Sequence, residues 1–397
     1  MEFRNIQAAL LAVTLIGAVA TGPVVAQENK PIKIGLLLPY KGGYAEEAML
    51  GDRGFQVALA EFGGAIGGRK IELIRADTEL TPSVGIQRFN QLIQSDNVDI
   101  VAGVIHSGVG IALSGLAETA KKPLVLMMAF SDDISGKFCN PYVARTAFSA
   151  YAMQYATGKY WAQAGKKTAV TVGPDYVAGR QFIDGFKRGF EENGGKVNEQ
   201  YWSAFQKTKD FGGILANLRG SNAELTYAWY AGAEAVQFVK QYAEMGLEKK
   251  LPLYGDHWTF EDTLWNVMGS SVLGKQFTAS YTSVLPTEAS KKFVEAYRKM
   301  FNTAPGISEE LGYDNGKAIM LALQKTKGQV GDGADFIKTL TSVEFDAPRG
   351  KFKFVKNSAM LEKVYLVEVQ KGADGNLSPK LLQTMPAVAD LPGCTRL

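Results

Sequence analysis

The chain has 397 residues, which is long enough for two domains. Hydrophobic residues make up 46% of the chain and charged residues 21%, a composition typical of globular proteins. The net charge of +3 is too small to indicate binding to nucleic acid. Two histidines and two cysteines without a CxxC spacing leave little scope for a metal centre, so neither a metal nor a cofactor is expected.

The first residues have the pattern of a targeting segment. A short charged start at residues 1–4 precedes an apolar run at residues 8–20, which is shorter than a membrane span. Small residues follow just before Gln27. We therefore expect residues 1–26 to be a signal peptide that is cleaved after Ala26, with an uncleaved anchor helix as the alternative. Cleavage would release the mature protein into the periplasm.

Export would allow a disulfide bond between Cys139 and Cys394, the two cysteines of the chain. This bond would tie the C-terminal end to the middle of the sequence. Two free thiols are the alternative, because the sequence does not show whether the two sulfur atoms meet.

Short apolar runs alternate with amphipathic stretches in the first part of the mature chain. Strands are predicted at residues 31–39, 70–76, 100–105 and 123–128, and helices at residues 49–62, 82–95 and 113–121. This β-α-β-α-β-α-β order indicates a parallel sheet that is covered by helices on both faces.

The same alternation begins again near residue 148. Strands are predicted at residues 167–172, 194–205, 224–230, 251–254, 277–281 and 364–369, and helices at 150–164, 181–193, 211–218, 235–245, 290–301 and 312–325. An extended segment at residues 345–354 is interrupted by Pro348. No low-complexity linker separates the two series, which indicates two lobes joined by several short crossings.

Polar and aromatic side chains follow the strands of both series. Because ligands bind beyond the carboxyl ends of parallel strands, we expect these side chains to meet at one edge. His106 and Ser107 stand where a buried strand gives way to a helix. The free N–H groups of a helix N-terminus attract an anion, although an ordinary capped turn is the alternative.

Four segments carry a resemblance to a known family. They are IKIGLLLPYKGGYA from Ile32, GGRKIELIRAD from Gly67, VDIVAGVIHSG from Val98 and GPDYVAGR from Gly173. In this order they resemble the periplasmic solute-binding proteins of branched-chain amino-acid-type ABC transporters, over nearly all of the mature chain. The resemblance implies an α/β, type I periplasmic-binding-protein fold with two doubly wound parallel-sheet lobes, three crossings and a ligand cleft. Lobe 1 would take residues 28–147 and 278–355, and lobe 2 residues 148–277 and 356–397.

The resemblance also implies a ligand site in the cleft. The family's carboxylate-binding hydroxyl matches Ser107, its second hydroxyl and nearby N–H groups match Phe130 and Ser131, and its cleft tyrosine matches Tyr176. Amino-acid binders place a carboxylate where this chain has His257, and an imidazole cannot supply that negative charge. The LLLPY, HSG, CNPYVARTAF and APRGKF segments are closest to the branch that binds aromatic carboxylates such as benzoates and hydroxycinnamates. The expected ligand-binding residues are Tyr44, His106, Ser107, Phe130, Ser131, Tyr176, Trp229, His257 and Trp258.

The sequence therefore predicts an exported, monomeric solute-binding protein that delivers a small carboxylate to an inner-membrane ABC permease. A binder of branched-chain or other amino acids is one alternative, with Glu47, Glu234 or Asp256 as the partner of the ligand ammonium. A sensor with the same fold is another. An enzyme is disfavoured because GxSxG, Walker A and HExxH motifs are absent and the glycines from Gly108 onward do not fit GxGxxG.

Overall fold

The computed structural model describes residues 30–372 and 375–388 together with Met1, Cys394 and Arg396. Apart from Met1, the expected signal peptide lies outside the described residues. Within the part of the chain that is described, no helix is long and apolar enough to cross a membrane.

Two sheets and the helices around them make up the described chain. The strands are β1 (Ile32–Leu38), β2 (Ala65–Ile66), β3 (Arg69–Asp77), β4 (Ile100–Gly103), β5 (Leu124–Leu126), β6 (Val143–Arg145), β7 (Thr168–Pro174), β8 (Lys196–Ser203), β9 (Leu225–Ala228), β10 (Leu253–Asp256), β11 (Gln276–Ala279), β12 (Glu344–Ala347), β13 (Gly350–Val355), β14 (Ser358–Ala359), β15 (Lys363–Lys371) and β16 (Leu377–Pro386). The helices are α1 (Ala45–Glu61), α2 (Pro82–Gln94), α3 (Ser107–Ala120), α4 (Asp132–Ser135), α5 (Ala150–Gln163), α6 (Val177–Glu191), α7 (Gly212–Gly220), α8 (Gly232–Glu244), α9 (Trp265–Met268), α10 (Glu288–Phe301), α11 (Ile307–Lys325) and α12 (Gly333–Leu340).

Each lobe is built on one sheet. The first sheet has the strand order β12-β13-β14-β6-β5-β4-β1-β3-β2, and the second has the order β16-β15-β11-β10-β9-β7-β8. The central strands pair in parallel, as the alternating pattern predicts, and β1 lies between β3 and β4. Antiparallel strands occupy the edges, where β12 pairs with β13 and β15 pairs with both β11 and β16.

Between the described strands, the chain passes from one sheet to the other three times, after β6, after β11 and after β14. The domain boundaries expected at residues 278 and 355 fall close to the last two of these crossings. The strands that precede these two crossings, β11 and β14, end at Ala279 and at Ala359. The strand β14 has only two residues, and its single pairing with β6 through Ser358 and Arg145 leaves no periodic signal in the sequence.

The end of β4 turns sharply toward the gap between the lobes. Gly103 and Val104 have φ angles of +104° and +65°, in the left-handed region that a β-branched residue rarely adopts. The Val104 N–H donates to the carbonyl of Leu37 at 2.7 Å, which anchors this strained turn to β1. The turn leads directly into His106 and Ser107 at the start of α3.

Cys139 and Cys394 form a disulfide bond, with their Cα atoms 5.5 Å apart. Of the two alternatives left open by the sequence, the structure has the bonded one. Arg396 lies beside this link and pairs with Glu118 of α3 at 2.5 Å. The C-terminal end is thereby fastened to the first lobe.

Candidate ligand-binding site between the lobes

A cavity lies between the two sheets, and every residue that lines it follows the carboxyl end of a strand. The cavity volume is about 20 Å³. Small-molecule sites usually have roughly 300 Å³ or more, so an aromatic ligand requires the walls of the cavity to move apart. The lining residues are Tyr44, Glu47, Ile105, Ser107, Met128, Phe130, Tyr176, Ala178, Trp229, Ala231 and Trp258. Six of the nine residues expected from the sequence are among them.

Ser107 is the polar centre of the cavity wall in the first lobe. It is the first residue of α3 and is buried. The backbone N–H of Ser131 donates to its hydroxyl oxygen at 3.1 Å. Because the oxygen already accepts this bond, the hydroxyl hydrogen can donate to a ligand carboxylate.

Ser131 lies behind the cavity rather than in its wall. Its N–H is taken up by Ser107, and its own hydroxyl oxygen caps α4 by accepting from the N–H of Asp133 at 3.3 Å. Its carbonyl accepts from the Arg145 guanidinium at 2.7 Å. In this arrangement Ser131 positions Ser107, whereas the sequence predicted direct contact with the ligand.

Aromatic rings form most of the remaining wall. Phe130 of the first lobe meets Trp258 of the second edge to face, with ring centroids 5.5 Å apart. Trp229 stacks on Phe182 at 4.3 Å, which fixes the orientation of the indole. The cavity therefore offers flat apolar surfaces and ring edges to an occupant.

Tyr44 of the first lobe and Tyr176 of the second both line the cavity, and burial raises the pKa of each hydroxyl above its usual value. Phe205 stacks on Tyr176 at 4.1 Å and also meets Tyr44 at 5.9 Å. Phe205 is a contact that sequence reasoning missed. It stands two residues beyond β8, so the strand-end rule could have found it.

The two histidines do not line the cavity. His106 caps α3, since its Nδ1 accepts from the N–H of Val109 at 3.3 Å, and its ring stacks on Tyr176. His257 accepts at Nδ1 from the N–H of Ser280 at 3.4 Å and lines a separate small cavity. Burial lowers the pKa of His106 to about 4 and that of His257 to about 3, so both imidazoles are neutral at pH 7.

Three acidic residues were alternatives for binding a ligand ammonium, and the structure separates them. Glu234 accepts from the backbone N–H of Gln206 at 2.9 Å, and Asp256 accepts from Gln154 at 2.6 Å and from two backbone N–H groups. Glu47 lines the cavity, and neither of its carboxyl oxygens has a hydrogen-bond partner among the described residues. Burial raises the pKa of Glu47 to about 8.

The lobes are closed onto each other around this cavity. The backbone N–H of Asp132 donates to Gln181 of the second lobe at 2.9 Å. At the opposite side Gly232, at the start of α8, lies so close to the first lobe that a Cβ there would overlap the carbonyl oxygen of Gly43. Such contacts across the cleft are what a hinged, ligand-enclosing protein makes in its closed form.

Comparison with known proteins agrees with this architecture. A family model described as periplasmic binding protein matches residues 31–375, and the chain belongs to that family. The expected type I periplasmic-binding-protein fold is confirmed. The family and the similar solved structures are solute-binding proteins.

The names of similar proteins refer to two kinds of ligand, aromatic acids and branched-chain amino acids. A solute-binding protein from R. palustris in complex with benzoate is 31% identical, with a TM-score of 0.85 over 92% of this chain and 99% of its own. A protein from Rhodopseudomonas palustris BisB5 in complex with 3,4-dihydroxybenzoic acid is 28% identical, with a TM-score of 0.84 over 91% and 98%. The Leu/Ile/Val-binding protein homolog 6 of Brucella melitensis is 25% identical over 91% of this chain and 93% of its own.

Proposed function

We propose that this chain is an exported solute-binding protein that captures a small aromatic carboxylate and delivers it to an inner-membrane ABC permease. The observation that carries the proposal is Ser107, whose hydroxyl lies in a closed cavity with its oxygen fixed by the Ser131 N–H. The rings of Phe130, Tyr176 and Trp258 provide walls for an aromatic body.

The protonation state of Glu47 is compatible with an anionic occupant of the cavity. Glu47 is the carboxyl group in the cavity wall, and its raised pKa of about 8 leaves it protonated at pH 7. A protonated carboxyl does not repel a ligand carboxylate. The benzoate-type ligands named for two similar structures support the same ligand class.

Ligand capture would proceed by closure of the lobes. The carboxylate binds Ser107 in the first lobe, and Tyr176 and Trp258 close over the ring from the second. A ligand that touches both lobes binds the closed form more tightly and shifts the open–closed equilibrium toward it. The closed form is then the one that the permease recognises.

Calorimetry on ligand-free protein tests this function. The mature protein is unfolded and refolded to remove any bound ligand, then titrated with benzoate, 4-hydroxybenzoate, benzamide and leucine. We expect the two acids to bind and benzamide to bind at least tenfold more weakly, because it lacks the charge that Ser107 recognises. Submicromolar binding of leucine without binding of the acids would overturn the proposal.

An amino-acid binder is the second candidate, and one observation favours it. Glu47 is buried without a hydrogen-bond partner among the described residues, so it could pair with a ligand ammonium in its ionised form. The relatives named as Leu/Ile/Val-binding homologues support the same candidate. The leucine titration distinguishes the two functions.

A further inference from the structure

The cavity wall contains a second polar group whose role the carboxylate site does not explain. Glu47 stands in the first turn of α1 and is only 2% exposed, yet neither carboxyl oxygen is hydrogen-bonded by a described residue. Burying a polar group without a partner is costly. A ligand that supplies the missing hydrogen bonds would recover that cost.

The surroundings of Glu47 determine its protonation state. Burial raises the pKa of Glu261, which follows β10 and is 1% exposed, well above its usual range, and the charge of Glu47 adds to this effect. The charge of Glu46 also raises the pKa of Glu47. The charges of Asp262 and Glu309 raise the pKa of Glu261. Burial, and to a smaller extent the charge of Glu46, favours the protonated form of Glu47.

Among the described residues, none of the groups that act on the pKa of Glu47 is a cation. Tyr44 precedes α1, and its pKa is raised well above the usual value, mainly by burial and to a smaller extent by Glu47. Across the cleft, the charge of Glu234 on α8 also raises the pKa of Tyr44. Glu261 itself accepts a hydrogen bond from the hydroxyl of Ser308 at 2.9 Å, and its other oxygen has no partner in the described part of the chain.

The carboxyl group of Glu47 lies where the two lobes meet, so its surroundings depend on closure of the cleft. A Cβ at Gly232 of the second lobe would lie 2.7 Å from Glu47 Oε1, so the carboxyl lies at the seam between the lobes. A ligand group that binds Glu47 would therefore be enclosed only when the lobes meet.

We propose that Glu47 is a specificity residue that recognises a ring hydroxyl of the ligand, so that the preferred ligands are hydroxylated aromatic acids. This inference rests on the proposed function and narrows its ligand class. A protonated carboxyl offers one O–H donor and one C=O acceptor, and a phenol hydroxyl offers the complementary acceptor and donor. Benzoate offers neither, and an ammonium offers donors only.

The test is the ratio of two affinities, measured by calorimetry on refolded full-length mature protein at pH 7. The ligands are benzoate and the tighter-binding of 3- and 4-hydroxybenzoate. For the wild-type protein we expect the hydroxylated acid to bind at least tenfold more tightly. Glu47→Leu should reduce the ratio below threefold, because leucine can neither donate nor accept.

Two further variants separate recognition from a structural role. Glu47→Gln should keep the ratio within threefold of the wild type, since an amide also has a donor and an acceptor. Glu46→Gln removes an adjacent exposed acid whose charge only raises the pKa of Glu47. At pH 6.5, where Glu47 is protonated, this variant should leave the ratio within twofold of the wild type. Between pH 6.5 and 8.5 the wild-type ratio should rise as Glu47 loses its proton, because an ionised carboxylate accepts a stronger hydrogen bond from the phenol hydroxyl and the repulsion of the ligand carboxylate is the same for both ligands. The ratio of Glu47→Gln should stay constant over this range.

The outcomes also separate this inference from the proposed function. An unchanged ratio in Glu47→Leu overturns the inference and leaves the aromatic-acid function in place. Failure of both acids to bind the wild type overturns both. If leucine binds and Glu47→Gln abolishes its binding, Glu47 is an ammonium partner and the inference is wrong. Should Glu47→Leu not fold, the pH profiles of wild type and Glu47→Gln decide alone, and equal profiles overturn the inference.

Discussion

The hydroxyl oxygen of Ser107 accepts a hydrogen bond from the backbone N–H of Ser131, with 3.1 Å between nitrogen and oxygen. This bond joins the turns that follow two neighbouring strands, β4 and β5. The carbonyl of Ser131 is held in turn by the guanidinium of Arg145 on the next strand, β6. The hydroxyl of Ser107 is thus oriented by a chain of contacts across three parallel strands.

Replacing Ser107 by alanine should weaken binding of an aromatic carboxylate by ~1–3 kcal/mol, the value of a hydrogen bond to a charged group. The change is measured by calorimetry with the tightest acid found. Ser114→Ala is the matched control, because Ser114 is buried in the same helix and bonds the carbonyl of Gly110 at 2.9 Å, away from the cavity. Equal affinity of Ser107→Ala and the wild type would remove Ser107 from the site.

The disulfide bond should stabilise the protein without taking part in binding. It closes a loop between residues separated by 255 positions in the sequence. Cys394→Ser should lower the free energy of unfolding by ~2–5 kcal/mol, as the loss of a native disulfide does in small secreted domains. Urea titration of the wild type and of the variant, with and without reductant, measures the difference. A reductant that leaves the wild-type midpoint unchanged would contradict the prediction.

The central architecture was predictable from the sequence because buried parallel strands are short, continuous apolar runs. The strand β1 is an example, with six of its seven residues buried. The edge strand β16 was not predicted, since most of its residues are exposed or half-buried and leave no apolar alternation. It is held by antiparallel pairing with β15, a long-range contact that local sequence does not encode.

The site was predictable to the level of strand ends, but not to the level of side-chain direction. Ser107 and Tyr176 follow strands and line the cavity as expected. His106 and His257 also follow strands, but their Nδ1 atoms accept backbone N–H groups, which directs the rings elsewhere. Glu47 was only an alternative, because an acid in the first turn of a helix ordinarily faces solvent.

The buried neutral histidines should make stability depend on pH. Burial lowers the pKa of His257 to about 3 in the folded protein, whereas an unfolded histidine has its usual pKa near 6.5. Below ~6.5 the unfolded state binds the additional proton, so this contribution to stability is complete above that pH and falls by up to ~1.4 kcal/mol per pH unit toward pH 3.

Comparing wild type with His257→Gln isolates this contribution from that of the buried acids. Glu47 and Asp256 have raised pKa values in the folded protein, about 8 and about 7. Between their unfolded and folded pKa values, their contribution to stability therefore increases as the pH falls, opposite to that of His257. The stability advantage of the wild type over His257→Gln should therefore shrink between pH 7 and pH 4 in urea titrations. A constant difference over that range would show that His257 is protonated in the folded protein.

Closure of the lobes should depend on the small size of Gly232. Its φ of +57° suits glycine, and a Cβ there would overlap the carbonyl oxygen of Gly43 in the first lobe. Gly232→Ala should therefore hold the cleft open and weaken ligand binding at least tenfold, about 1.4 kcal/mol or more.

Small-angle scattering and calorimetry together check this prediction. With saturating ligand, the wild type should become more compact, and Gly232→Ala should change less. Gly115→Ala is the control, because Gly115 lies in α3 without a positive φ, and a Cβ added there would meet no atom within 4 Å. If Gly232→Ala bound ligand and compacted as the wild type does, the contact between Gly232 and Gly43 would not limit closure, and the lobes would have to meet through the Asp132 and Gln181 side of the cleft alone.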